Sequence, residues 1–137
     1  MIDGCRRKVI KENHRYRCDF CNQSFTSCKW TYMISATISD FSDHFLVNFA
    51  REHGRVLMGD VAPEEFQRWR EEGKEWKVRN LLEEQQFKSF NILVNGKQEF
   101  FNGELRMRYF ALKVEPLQFK TENKMLLDRL SRYQKLA

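Results

Sequence analysis

The stretch Cys18-Asp19-Phe20-Cys21 does most to narrow the folds open to this chain. A gap of two residues lets two thiolates reach one tetrahedral ion from a tight turn. Cys5 stands thirteen positions before Cys18, and between them Val9-Ile10-Lys11 and Arg15-Tyr16-Arg17 flank Glu12-Asn13-His14. That layout reads as a short hairpin leading into a knuckle, with two turns facing each other across a metal. The expectation is a zinc ribbon whose ligands include Cys5, Cys18 and Cys21. A full ribbon has two cysteines in each turn, and the first turn here has only Cys5. His14 and Cys28 are the candidates for a fourth ligand. His14 sits in the hairpin tip and points away from the metal. Cys28 leads into a strand and reads better as a small apolar residue. Glu12 could serve as a general base but shares the hairpin tip, so a structural zinc is expected rather than a hydrolytic one.

After the Cys-rich unit the pattern turns to β. Trp30, Tyr32, Ile34, Ala36 and Ile38 share one face of an alternating run from Lys29 to Asp40, and period two with aromatic and β-branched residues predicts a strand. Phe45 to Phe49 reads as a second strand, paired through Ser42-Asp43-His44. Ala50 to Met58 reads as a short helix. Pro63 followed by Glu64 and Glu65 starts another, with proline in the first turn and acids at the positive dipole end. Lys74 to Gln86 reads as a third helix. The β pattern returns at Phe90, Ile92 and Val94. Asn95-Gly96 and Asn102-Gly103 are both strong hairpin signals, too close together for both to be tight turns. Leu105 to Val114 is another strand, ended by Pro116. Thr121 can cap a last helix whose apolar positions Phe119, Leu126, Leu130, Tyr133 and Ala137 form a seam like that of a coiled coil or bundle. The order of elements fits a mainly β domain with helices, a small barrel such as an OB-fold with a helix between its strands. The terminal seam suggests docking on another chain.

Charge is uneven. Residues 1–30 carry seven basic and three acidic side chains, and residues 103–137 carry eight and four, while the segment between is acidic on balance. If the fold joins the ends, a positive face results, and the net charge of +5 over 137 residues permits an anionic partner. No stretch approaches the ~20 apolar residues of a membrane span, and the opening residues lack the apolar core of a signal peptide. There is no Gly-rich phosphate loop, no Ser/His/Asp arrangement and no carboxylate pair in an apolar setting. His14, His44 and His53 share no motif. An enzyme is not expected.

These residues, in this order and spacing, resemble a known family. Cys5-Arg6-Arg7-Lys8-Val9-Ile10, Tyr16-Arg17-Cys18-Asp19-Phe20-Cys21, the strand from Lys29 to Ile38 ending in Asp40-Phe41, Phe45 to Phe49, Leu57-Met58-Gly59, Phe87-Lys88-Ser89-Phe90, Phe101-Asn102, Arg106 and Val114-Glu115-Pro116 are together similar to the C-terminal domain of replication protein A large subunits. The resemblance implies an OB-fold barrel with an inserted zinc ribbon and a C-terminal helix. The corresponding divisions are 1–28 for the ribbon, 29–118 for the OB-fold and 119–137 for the assembly helix. It also implies that Asn102-Gly103 is the hairpin tip, that Asn95-Gly96 lies within a longer strand, and that the last helix joins two smaller subunits in a three-helix bundle. In the family the first cysteine pair is C-x4-C, so the partner of Cys5 and the first barrel strand would both fall before Met1. The chain therefore reads as a truncated member with three matching thiolates.

The implied function is single-stranded DNA binding and heterotrimer assembly in replication, repair and recombination, in the nucleus. An OB-fold binds single strands with cations and aromatic platforms, because every base offers a π-face. The rings that match the family's binding positions are Phe45, Phe49 and Phe101. Arg106 matches a family arginine, Arg108 shares its strand face, and Lys29 and Lys88 are further phosphate candidates. Two other readings stand beside this one: an assembly scaffold with little DNA binding of its own, and a zinc-ribbon OB protein of RNA metabolism.

Overall fold

The computed structural model describes residues 5–136. The Cys-rich unit is a three-stranded sheet, β1 (Ile10–Glu12), β2 (Arg15–Cys18) and β3 (Gln23–Phe25), in the order β1-β2-β3. Asn13 and His14 form the first turn with φ of 43° and 67°. Two consecutive left-handed residues give the turn twist that matches the flanking strands, and asparagine and histidine tolerate that region better than most side chains. Strand β3 has no counterpart in the sequence reading, because three residues are too few to show a period. Trp30 packs edge-on against Tyr16, ring centroids 6.4 Å apart, and Lys11 pairs with Glu71 at 3.8 Å. These contacts hold the ribbon against the rest of the chain.

The main sheet contains β4 (Met33–Ser39), β5 (His44–Ala50), β6 (Phe90–Phe101) and β7 (Glu104–Pro116), in the order β4-β5-β7-β6. Strand β4 starts at Met33, later than the alternation suggests. Strands β4 and β5 are antiparallel, whereas β5 and β7 run parallel. Parallel neighbours need a long crossover. Here it is supplied by α1 (Glu52–Leu57), α2 (Pro63–Glu71) and α3 (Glu75–Gln85), followed by β6. Helix α2 ends where Gly73 takes φ 69°, with the N–H of Gly73 bonded to the Arg70 carbonyl and that of Lys74 to Trp69, a Schellman stop. Among the described residues β4 and β6 are the two edges, so the sheet is open and four-stranded.

Of the two Asn-Gly pairs only Asn102-Gly103 turns, with φ of 51° and 80°. Asn95-Gly96 continues β6. A Cβ on Gly96 would lie 2.9 Å from the Met107 side chain and 3.2 Å from the Tyr109 ring, so glycine there makes room for the neighbouring strand's side chains. The register slips between Leu93 and Val94, leaving Leu112 unpaired. The slip lets Ala111 and Val114, three apart, both face inward.

Val47, Phe49, Ala111 and Val114 form the buried centre, with Ile34, Ala36, Ile38, Ile92 and Val94 around it. A second cluster of Tyr32, Met58 and Leu81, with Val61, Phe66 and Trp69, seats α2 and α3. Burial pushes the Tyr32 phenol up to about 12, and its hydroxyl donates to the Val61 carbonyl at 3.1 Å. Helix α4 (Phe119–Leu136) begins before the expected cap. The Gln118 carbonyl accepts the N–H groups of Thr121 and Glu122, each at 3.0 Å, and Thr121 lies inside the first turn. No residue of α4 described in the structure is buried. No helix among the described residues is long and apolar enough to cross a membrane.

Candidate nucleic-acid interface and metal centre

Side chains alternate across a strand, and cross-strand partners share a face. Tyr109 opposes Val47 and therefore faces the core, and with it go Met107 and Leu105. Arg106, Arg108 and Phe110 consequently project from the outer face. Across the hairpin, Lys97, Glu99 and Phe101 oppose Arg108, Arg106 and Glu104. The outer face thus carries two ring–guanidinium stacks. Arg106 lies 5.6 Å from the centroid of Phe101 and Arg108 lies 5.3 Å from that of Phe110. Phe101 is 57% exposed, beside the Asn102-Gly103 turn. Flat rings interleaved with cations suit unstacked bases and phosphates.

Two of the three expected rings are not part of this surface. Phe49 is 0% exposed and packs in the centre of the core. It shares the inner face of β5 with Val47, and no base can stack on it without unfolding the sheet. Phe45 lies on that same inner face, where its ring centroid is 4.9 Å from that of Tyr109. It remains 39% exposed because it sits near the end of its strand, but the thickness of the sheet separates it from Phe101, Arg106 and Arg108. The register also separates the two lysines. Lys88 precedes β6, whose first residue Phe90 pairs with Pro116, and its ammonium donates to Gln85 Oε1 at 3.1 Å. Lys88 is eleven residues from Arg106's partner Glu99, which at ~3.3 Å per residue puts it more than ~30 Å along the sheet. Lys29 precedes β4 at that same far end, since Met33 pairs with Ala50. The sequence reading missed Phe110. The signal was available, because a strand carrying Arg106 and Arg108 on one face carries residue 110 there too.

At the ribbon, the sulfurs of Cys5, Cys18 and Cys21 all lie within 4.8 Å of one another, with Cys5 and Cys18 3.6 Å apart. Thiolates bound to tetrahedral zinc at about 2.3 Å stand about 3.8 Å from each other, so the three positions fit such an ion. The N–H of Cys21 holds the Cys18 thiol down at about 7, while the neighbouring Cys18 sulfur pushes Cys21 upward. Neither His14 nor Cys28 joins the cluster. His14 is in the β1–β2 turn, on the far side of the hairpin from the sulfurs, as expected from its place in the tip.

The model of the replication factor-A C-terminal domain matches residues 1–126. The chain belongs to that family. Curated relatives include replication factor A protein 1 of Schizosaccharomyces pombe, 25% identical over 126 residues, which span 90% of this chain and 20% of that protein. The replication protein A 70 kDa DNA-binding subunit of Gallus gallus is 27% identical over 134 residues, covering 97% of this chain and 22% of the relative. The chain therefore spans about a fifth of the length of these relatives. The fold is that of a chain in a replication protein A heterotrimer bound to single-stranded DNA, with a TM-score of 0.82, 23% identity and coverage of 93% of this chain and 29% of that one. A chain of yeast RPA bound to single-stranded DNA gives a TM-score of 0.82 at 19% identity, over 97% of this chain and 74% of that one. The fold is the one expected of a member of this family, with the four OB-type strands β4-β5-β7-β6 left as an open sheet among the described residues and the Cys-rich sheet as a separate unit ahead of β4.

Proposed function

We propose that this domain binds single-stranded DNA on the outer face of the β6–β7 hairpin and joins two smaller subunits through α4. It acts without catalysis as part of a nuclear replication protein A, in replication, repair and recombination. The observation that carries the DNA reading is the pair of stacks, Phe101 with Arg106 and Phe110 with Arg108, on one exposed face. Relatives named as DNA-binding subunits and neighbours solved with single-stranded DNA support it. Stacking and phosphate contact carry little base information, so binding is expected to be sequence-tolerant.

Titration with poly-dT at two salt concentrations tests the reading. Affinity should fall with salt at a log–log slope near −0.7 per phosphate neutralised. Phe101→Ala should weaken binding by ~1–3 kcal/mol, the worth of one stacked base, and leave the melting temperature unchanged because the ring is exposed. A Phe101→Ala protein that binds as tightly as the parent would remove the hairpin from the interface.

The three-thiolate cluster holds a structural zinc in this reading, bracing the ribbon rather than activating water. Cys5, Cys18 and Cys21 would be its ligands among the described residues. Protons compete with the metal for sulfur. Cys18 titrates below an ordinary thiol, so its thiolate stabilises the folded ribbon above the unfolded thiol's range, and that contribution is lost as pH falls through about 7. Zinc holds the same thiolates against protons, so retention, followed with a colorimetric chelator, should fall only on acidification below the range in which the metal-free Cys18 thiol titrates. Retention that persists into strong acid would argue against thiolate ligation.

One observation favours the scaffold reading in part. Arg106 and Arg108 already have carboxylate partners, Glu104 and Glu99. A chain that assembles through α4 yet shows no salt-dependent affinity for poly-dT would be a scaffold.

A further inference from the structure

The arginines of the outer face are not free. Arg108 Nη1 donates to Glu99 Oε2 at 3.1 Å, and Arg106 Nη2 donates to Glu104 Oε2 at 3.3 Å. Both carboxylates belong to the hairpin itself. Glu99 stands directly across from Arg106 in the register and reaches diagonally to Arg108, while Glu104 lies two residues before Arg106 on the same face. A carboxylate and a phosphate oxygen bind the same guanidinium N–H groups in the same geometry. A strand whose phosphates take Arg108 Nη1 and Arg106 Nη2 while its bases stack on Phe101 and Phe110 must therefore displace both acids. Counted over the face, Lys97, Arg106 and Arg108 oppose Glu99 and Glu104, which leaves little net positive charge where the phosphates would lie.

We propose that Glu99 and Glu104 are built-in competitors for the phosphates of the strand, and that they set the affinity and salt response of this face. This rests on the outer-face reading above and goes further by naming the residues that oppose binding. Each exposed pair is weak enough to open on contact with DNA. Each still holds the guanidinium beside its ring, so the arginine reaches the phosphate without a large search. When a phosphate replaces a carboxylate that remains nearby, little net charge is neutralised and few counterions leave the DNA. The intact face should therefore show a shallower salt dependence than its two arginines alone would give.

The test uses the chain together with its partner subunits, and fluorescence anisotropy on a labelled oligo-dT over a series of salt concentrations. Glu99→Gln with Glu104→Gln should tighten binding about 2- to 30-fold at low salt, the range expected for releasing two exposed ion pairs. The log–log salt slope should steepen by about 1.4, or 0.7 for each arginine released. Glu83→Gln with Glu84→Gln on α3 makes the same change in net charge away from the hairpin and should leave the slope as it was. Unchanged or weaker binding by the hairpin variant overturns the proposal, and so does an equal gain from the α3 variant, which would assign the effect to net charge. Arg106→Ala with Arg108→Ala distinguishes the two levels. If it weakens binding while the glutamine variant does not tighten it, only the competition fails. If it has no effect, the outer-face reading fails and the competition with it.

Discussion

Leu126→Asp combined with Leu130→Asp is expected to abolish assembly with the smaller subunits while leaving the sheet and its melting transition intact. Both leucines are on the apolar seam of α4, 46% and 59% exposed. The helix has no extensive packing against any other described element, so little of the domain's own stability depends on its side chains. Phe119 and Tyr133 continue the same seam, and Met125, Leu127 and Leu136 flank it, all exposed. An 18-residue helix with this much exposed apolar surface is the face that the proposed assembly would cover. Truncating a central interface anchor costs roughly 2 kcal/mol or more, and a buried carboxylate without a partner adds to that. Two such changes should weaken assembly by at least about a thousandfold. Size-exclusion chromatography with light scattering on the co-expressed subunits reads the result directly. A heterotrimer that survives the double substitution would show that α4 is not the assembly element. Ala137, placed on the same seam by its spacing, lies outside the described residues.

Phe49→Ala should produce the largest loss of stability of any ring replacement considered for the DNA site. Phe49 is among the largest fully buried side chains, and it contacts the other residues of the central cluster. Removing a buried phenyl ring takes away its transfer free energy and leaves a cavity that the sheet can only partly fill, a cost of about 3–5 kcal/mol. A domain of this kind has about two to three times that in total. Urea denaturation should show a much lower midpoint at unchanged slope. At temperatures where the variant remains folded, its affinity for poly-dT should match the parent's. Phe101→Ala should give the opposite pair of results, with affinity lost and stability kept. An experiment on the two variants together thus separates core from platform. Reduced DNA affinity in folded Phe49→Ala protein would show that the ring reaches the strand after all.

Much of the architecture was legible in the residues. The alternation Ile34-Ala36-Ile38 against Phe45-Val47-Phe49 gave the first antiparallel pair, because one buried face enforces period two. Pro63 with two acids marked the start of α2, and Asn102-Gly103 marked the tip. Cys5, Cys18 and Cys21 could be grouped because a two-residue knuckle and a short hairpin leave the sulfurs few other places to be. Other features were silent. Strand β3 is too short to have a period, and Thr121 looked like a cap because capping chemistry does not say which of several polar residues the chain will use.

The DNA face shows where local reading stops. Phe45, Phe49 and Phe101 are chemically identical and each lies on a strand; local position set Phe49 last among them but did not separate Phe45, beside a polar turn, from Phe101 at the hairpin tip. The parallel pairing of β5 with β7 decided the matter, by setting Tyr109 against Val47 and thereby sending Arg106, Arg108 and Phe110 to the opposite side. That pairing joins residues about sixty positions apart, a separation that no window of sequence spans. What the sequence determined by itself was the set of strands, the thiolate cluster and an apolar helix, since each depends on neighbours within a turn or a hairpin. What only the tertiary structure decided was which rings meet water, which cations meet rings, and which acids reach those cations first. Those are properties of a face, and a face exists only once distant strands have chosen their partners.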